Sequence, residues 1–159
     1  MISNLYPYVE NNPINWIDPF GFWGIIGGGM GRVIVPILSG EASAKLIIGA
    51  EGRGIRGIIA GSAGATLIAG GASLGRGPEL GFFLNDVSNF LNTNEINIDT
   101  PIGGLSIYIN NDGDFAGLVI GWPSFGLGLS AIGPEVPFSI IGTRFLDLFN
   151  WQPSGQQCQ

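Results

Sequence analysis

The chain has 159 residues, 28 of them glycine, with 45% hydrophobic residues, only 11% charged residues and a net charge of −6. That length suits one domain with a real core, and a mean hydropathy of +0.37 excludes the low-hydrophobicity, high-charge class of disordered chains. With Lys and Arg totalling 6 against 12 Asp and Glu, there is no basic stripe for phosphates, so nucleic acid is not an expected partner.

The sequence contains no histidine, which removes the commonest general base and metal ligand. His-dependent nucleases, Ser–His–Asp hydrolases and H-E-x-x-H metalloenzymes are therefore excluded. Cys158, second from the end, supports neither a disulfide framework nor a zinc site. No metal or cofactor is expected, and the balance leans against an enzyme. Any catalysis would rest on carboxylates, Lys45, Arg, Ser, Thr or Tyr.

Residues 1–22 are aromatic, Asn-rich and punctuated by proline, which reads as short strands and turns. They run Asn4-Leu5-Tyr6-Pro7-Tyr8-Val9-Glu10-Asn11-Asn12-Pro13, then Ile14-Asn15-Trp16-Ile17-Asp18-Pro19-Phe20-Gly21-Phe22. This stretch resembles the closing motif of the RHS (YD-repeat) core, N-L-Y-x-Y-V-x-N-N-P overlapping P-x-x-x-x-D-P-x-G and a large apolar residue. Asp18-Pro19-Phe20-Gly21 alone reads as a type I turn. Val9-Glu10-Asn11-Asn12 also matches the VENN motif that precedes contact-dependent inhibition toxins, but the flanking Tyr8, Pro13 and Asp18-Pro19 fit the RHS pattern.

The resemblance implies that residues 1–22 are the C-terminal remnant of an RHS core and residues 23–159 a variable C-terminal tip. In that family the core is a hollow β-cocoon, and self-cleavage after this motif frees the tip inside the shell. Asp18 matches the motif's acid, and the scissile bond follows Phe22, where the family usually has Leu. Without the upstream barrel this chain is not expected to cut itself. The implied partners are the upstream RHS shell and a cognate immunity protein. The implied setting is a tip secreted, or delivered into a target cell, in bacterial competition; no signal peptide is visible at the start of the chain.

Residues 23–76 are rich in Gly, Ile and Ala and are expected to form helical pieces around 25–38 and 42–72, interrupted by glycines and Pro36. Gly52-x-Gly54-x-x-Gly57 has the spacing of a dinucleotide fingerprint, but neither a βαβ alternation nor a clean acid twenty residues on accompanies it. Residues 57–75 carry no charge and lie between Arg56 and Arg76, long enough for a membrane span. Gly and Ser dilute their hydrophobicity, so a helical hairpin packed on the rest of the domain is favoured. Residues 78–92, with Leu80, Phe83, Val87 and Leu91 at spacings of three and four, make the best amphipathic helix.

From residue 95 the period becomes two. Leu105, Ile107 and Ile109 alternate with Ser106, Tyr108 and Asn110, and Asn110-Asn111-Asp112-Gly113-Asp114 is a hairpin-turn signal. Further strands are expected over 115–122, 125–131 and 137–143, followed by a short apolar tail from Phe145 to Trp151. The expectation is an α+β fold, with a Gly-rich helical half (23–92) covering the apolar face of a four-stranded antiparallel β-meander (95–143).

The charged groups available for chemistry are Glu41, Glu51, Glu79, Asp86, Asp112, Asp114, Glu135 and Arg144, with Glu51, Arg53 and Arg56 reading as a surface ion-pair cluster. No pair has a spacing diagnostic of acid–base catalysis. The apolar Gly-rich half and the missing histidine favour an RHS-type toxin tip acting by membrane perturbation. The alternatives are a His-independent enzyme using carboxylate and Arg chemistry, and a non-toxic structural tip.

Overall fold

The computed structural model describes residues 22–52, 54–121 and 124–152. Asp18, the rest of the RHS-like motif before Phe22, Arg53 and Cys158 lie outside the described residues. In chain order the elements are β1 (Phe22–Val35), β2 (Leu38–Glu51), β3 (Gly54–Thr66), β4 (Ala69–Leu84), α1 (Val87–Phe90), β5 (Asn94–Thr100), β6 (Gly103–Ile109), β7 (Phe115–Gly121), β8 (Ser124–Ile132) and β9 (Ser139–Trp151). All described pairings are antiparallel, in one nine-stranded sheet of order β7-β6-β5-β8-β4-β1-β2-β3-β9.

The expected α+β fold is thus overturned: the half expected to be helical forms four strands of 13 to 16 residues and one four-residue helical turn. Backbone chemistry accounts for this. Gly is a poor helix former, and the Ile residues of β1 to β3 are β-branched and suit a pleated surface. The uncharged 57–75 segment is β3, a short turn and the start of β4, so neither a helical hairpin nor a helical span exists there. Gly52 occupies the β2–β3 turn with φ 60, while Gly54 and Gly57 sit in β3, which removes the strand-to-helix context a dinucleotide fingerprint needs. The Leu80–Phe83 spacing that suggested a helix belongs to β4, where Leu80 points outward and Phe83 inward.

The later strands do not form a simple meander. β7 and β8 lie end to end along one edge of β4: Gly117–Gly121 pair with Glu79–Phe83, and Ser124–Ser130 with Ala69–Gly75. The β5–β6 hairpin then bridges them, β6 on β7 and β5 on β8, closing a ring through β4. β1, β2, β3 and β9 extend the sheet from the other edge of β4, so β9 pairs with β3 rather than with β8. The Asn110–Asp114 turn is held by Asn110 Oδ1, which accepts from the amides of Asp112 (3.1 Å) and Asp114 (2.8 Å).

One apolar cluster lies inside. Ile26, Ile47, Ile58 and Phe83 meet Val87 and Phe90 of α1, together with Tyr108 and Val119. The Phe90 ring lies 4.6 Å from Phe83 and 4.7 Å from Tyr108. Gly24 makes this packing possible, since a Cβ there would fall 1.9 Å from the Phe83 ring.

Candidate functional site

Beyond this cluster the interior is charged. The inward positions of β5 are Glu95, Asn97 and Asp99, and those of β6 include Ser106 and Tyr108. β1 contributes Arg32, β2 contributes Glu41 and Lys45, and β4 contributes Ser73 and Glu79. Alternation dictates this, because polar residues spaced two apart share one face and that face is turned inward here.

Arg32 is the hub, with its side chain fully enclosed. Its Nε donates to Glu41 Oε2 at 3.1 Å, Nη1 to Asp99 Oδ1 at 3.1 Å, and Nη2 to Glu95 Oε1 at 3.3 Å and Ser106 Oγ at 3.2 Å. Asn97 Nδ2 donates to the same Glu41 oxygen at 3.1 Å, and Asn97 Oδ1 accepts from Ser106 at 2.7 Å. Ser73 Oγ donates to Asp99 Oδ2 at 2.7 Å. The planar fork of arginine suits such a three-carboxylate junction, which lysine could not satisfy.

Lys45 forms a second centre. Its Nζ donates to the Tyr108 hydroxyl at 2.5 Å and lies 3.6 Å from Glu79 Oε1 and 3.9 Å from Glu95 Oε2. The Glu79 contact is an ion pair but too long for a hydrogen bond, so that oxygen is buried without a hydrogen-bond partner.

The interior therefore sets Glu41, Glu79, Glu95 and Asp99 against two cations, Arg32 and Lys45. Burying unbalanced charge is costly, so the surplus acids hold protons more tightly. Burial, with the charge of Glu95 beside it, pushes the Glu41 carboxyl up to about 7 despite Arg32 and Lys45. Burial likewise raises Glu79, against the pull of Lys45. Glu95 is held below its ordinary value, because Lys45 and Arg32 together outweigh its burial. Burial and the Glu95 charge raise Tyr108. Lys45 is raised even though burial opposes it, since Glu95, Tyr108 and Glu79 surround it. Lys45 and Tyr108 are thus neither a free amine nor a phenolate at neutral pH. The cleft they line, with Ser43, Ser62, Thr93 and Thr143, has about 60 Å³ open to water, room for a few water molecules at most.

Of the residues singled out from the sequence, Glu41, Lys45 and Glu79 join this network. Glu51 instead accepts from the amide (3.0 Å) and hydroxyl (2.6 Å) of Ser88 and lies 3.8 Å from Arg56, which also donates to Asp147 at 2.6 Å. Asp86 precedes α1 and accepts from the Gly52 amide at 3.4 Å. Asp112, Asp114, Glu135 and Arg144 are exposed. Arg32, Glu95, Asn97, Asp99 and Tyr108 were not among the sequence candidates. The available signal was the Glu-Ile-Asn-Ile-Asp alternation of β5, whose polar face would ordinarily be assigned to solvent.

The outside is the complement of the inside. Sequence reasoning assigned the large apolar face of the later strands to a helical cover; that cover does not exist, and the face points outward. Phe125, Leu127 and Leu129 of β8 are exposed, as are Leu74 and Leu80 of β4, Ile25 and Val33 of β1, Leu46 of β2 and Ile59 of β3. Small residues lie between these flanks, and Gly29, Gly31, Ala42 and Ala44 line a shallow open trough. Among the described residues no helix is long and apolar enough to cross a membrane, a finding that leaves strands aside.

Comparison of the chain with family models, with curated proteins and with solved structures finds no match.

Proposed function

We propose that this chain is the C-terminal tip of an RHS-type toxin, delivered in bacterial competition, and that it acts on membranes through its strand wall. The observation that carries the reading is the charged interior behind an apolar wall: Arg32, Glu41, Lys45, Glu79, Glu95 and Asp99 lie inside beside the apolar cluster, while Ile25, Val33, Leu46, Ile59, Leu74, Leu80, Phe125 and Leu127 face outward. Water-soluble sheets bury the apolar face and wet the polar one, whereas strands in a bilayer do the reverse. A strand of about 9–11 residues spans a tilted transmembrane sheet, and β1 to β4 run to 13 residues or more. Exposed apolar surface on this scale marks an interaction site in any case.

The RHS resemblance at residues 4–22 supports the delivery half of the reading. The bond after Phe22 would lie at the first residue of β1, so cleavage there would leave nearly all of that strand with the tip. A His-independent enzyme gains less support, because the Lys45–Tyr108 cleft has only about 60 Å³ open to water and neither described cavity is lined by Glu51 or Glu135. The test is release of a trapped dye from phosphatidylcholine vesicles by the 159-residue chain. Release together with co-flotation is the expected result, and a chain that neither floats with vesicles nor empties them would refute the membrane reading.

A further inference from the structure

The turns at the two ends of the long strands differ in kind. At one end lie the β2–β3 turn and the exit from β4, where the left-handed backbone positions are filled by Gly52 (φ 60) and Asn85 (φ 91), residues that tolerate them. Glu51, Arg56 and Asp147 sit at that end. At the other end the β1–β2, β3–β4 and β8–β9 turns meet: the Ile37 amide donates to Ala69 O, the Leu67 amide to Phe138 O and the Ala131 amide to Ile68 O, each at 3.1 Å. There the left-handed positions are filled by Ile37 (φ 80) and Phe138 (φ 58).

A β-branched or bulky residue at positive φ is a true outlier, costly to the backbone, and glycine or asparagine would relieve it. Ile37 and Phe138 obtain no burial in exchange, being 70% and 77% exposed, and Leu67 beside them is 54% exposed. The turns themselves require the positive φ: Pro36-Ile37 joins the paired Val35 and Leu38, and Pro137-Phe138 is closed by the Ser139 amide donating to Val136 O. What the turns do not account for is the choice of Ile and Phe over Gly or Asn, or the exposure of both side chains.

We propose that this end, built from Ile37, Leu67, Ile68 and Phe138, is the part that enters the bilayer first, and that it selects zwitterionic over anionic lipid. The inference rests on the membrane reading above and specifies which surface leads. Three turns each project an exposed apolar side chain, Ile37, Leu67 and Phe138, and none of the four residues lines either described cavity. Fluid hydrocarbon accepts separate apolar projections without a matching shape. The three turns carry no Lys or Arg, and Glu135 is their charged residue, in a chain of net charge −6, so an anionic surface repels this end. The outward face of β1 to β3 continues the apolar surface away from it.

The experiment measures partition of the full 159-residue chain onto phosphatidylcholine vesicles and onto vesicles enriched in phosphatidylglycerol, for the wild type, Ile37→Asn/Phe138→Asn, Leu67→Ser and Leu80→Asn. Asparagine tolerates both left-handed positions, so the double variant is expected to unfold at the same temperature as wild type or higher, while its partition falls about ten-fold or more per apolar side chain removed. Leu67→Ser, at a turn with ordinary backbone, is expected to weaken partition without that gain in stability. Wild type is expected to bind the anionic vesicles no better than the zwitterionic ones. Undiminished partition of the double variant, loss in Leu80→Asn alone, or salt-reversible preference for anionic vesicles would each overturn the leading-end inference and leave the membrane reading standing. Failure of wild type to bind either vesicle would overturn both.

Discussion

Replacing Glu41 by Gln tests the charged interior most directly. The Glu41 side chain is 7% exposed, and its Oε2 accepts from Arg32 Nε and Asn97 Nδ2, with Glu95 and Lys45 as the other charges acting on it. Its carboxyl is raised from 4.5 to about 7. The folded state therefore binds a proton that the unfolded chain has released between those values, and the stability this contributes is full below pH 4.5 and lost as pH rises through about 7. At about 1.4 kcal/mol per unit, the shift corresponds to roughly 3 kcal/mol. Gln reproduces the protonated form and can still accept from Arg32 and Asn97. Glu79 contributes a pH dependence of the same sign and Glu95 one of opposite sign, lost as pH falls through its depressed value, so the informative quantity is the variant minus the wild type. Urea unfolding at intervals from pH 5 to pH 8.5 is expected to show Glu41→Gln gaining on wild type by about 3 kcal/mol across the window. Parallel stability curves for the two proteins would show that Glu41 ionises as an ordinary surface acid, and the account of a charge-surplus interior would fail.

Arg32→Met keeps the volume but leaves Glu41, Glu95 and Asp99 facing each other without their shared cation, and is expected to cost about 3–5 kcal/mol in urea unfolding, with partial recovery at low pH as the acids protonate. A pair of glycine substitutions reports how closely β1 lies against β2. A Cβ at Gly28 would lie 2.2 Å from Ala44 O, so Gly28→Ala is expected to cost about 1–3 kcal/mol or more. A Cβ at Gly31 meets nothing within 4 Å, so Gly31→Ala is expected to gain about 0.5–1 kcal/mol. Equal effects at the two sites, read as shifts in thermal midpoint, would contradict the register of β1 on β2.

The local signals read correctly from the sequence were those in which side chains act on their own backbone. Asn110 folds the β6–β7 turn with its own carbonyl oxygen, and the period-two pattern of 105–109 matches a strand whatever it packs against. The absence of histidine and of a paired cysteine holds in any fold. Strand identity in residues 23–84 was harder to see. Alternation there is masked by glycines at both parities of β1, such as Gly28 in step with the buried Ile26 and Gly31 in step with the exposed Ile25, and in composition such a strand looks like a Gly/Ala-rich helix. The direction of the faces was not legible at all. The pattern Glu95-Ile96-Asn97-Ile98-Asp99 states that two faces differ, and nothing local states which one meets solvent. That choice is made by residues 63 to 67 positions away in sequence: Arg32 on β1 gathers Glu95 and Asp99 into the interior, and along the ring closed through β4 it is Leu74, Leu80, Phe125, Leu127 and Leu129 that face outward. Sequence alone established two-faced strands after residue 95 and the lack of histidine chemistry; the tertiary pairing of a buried arginine with distant carboxylates decided which face of β5 is turned inward.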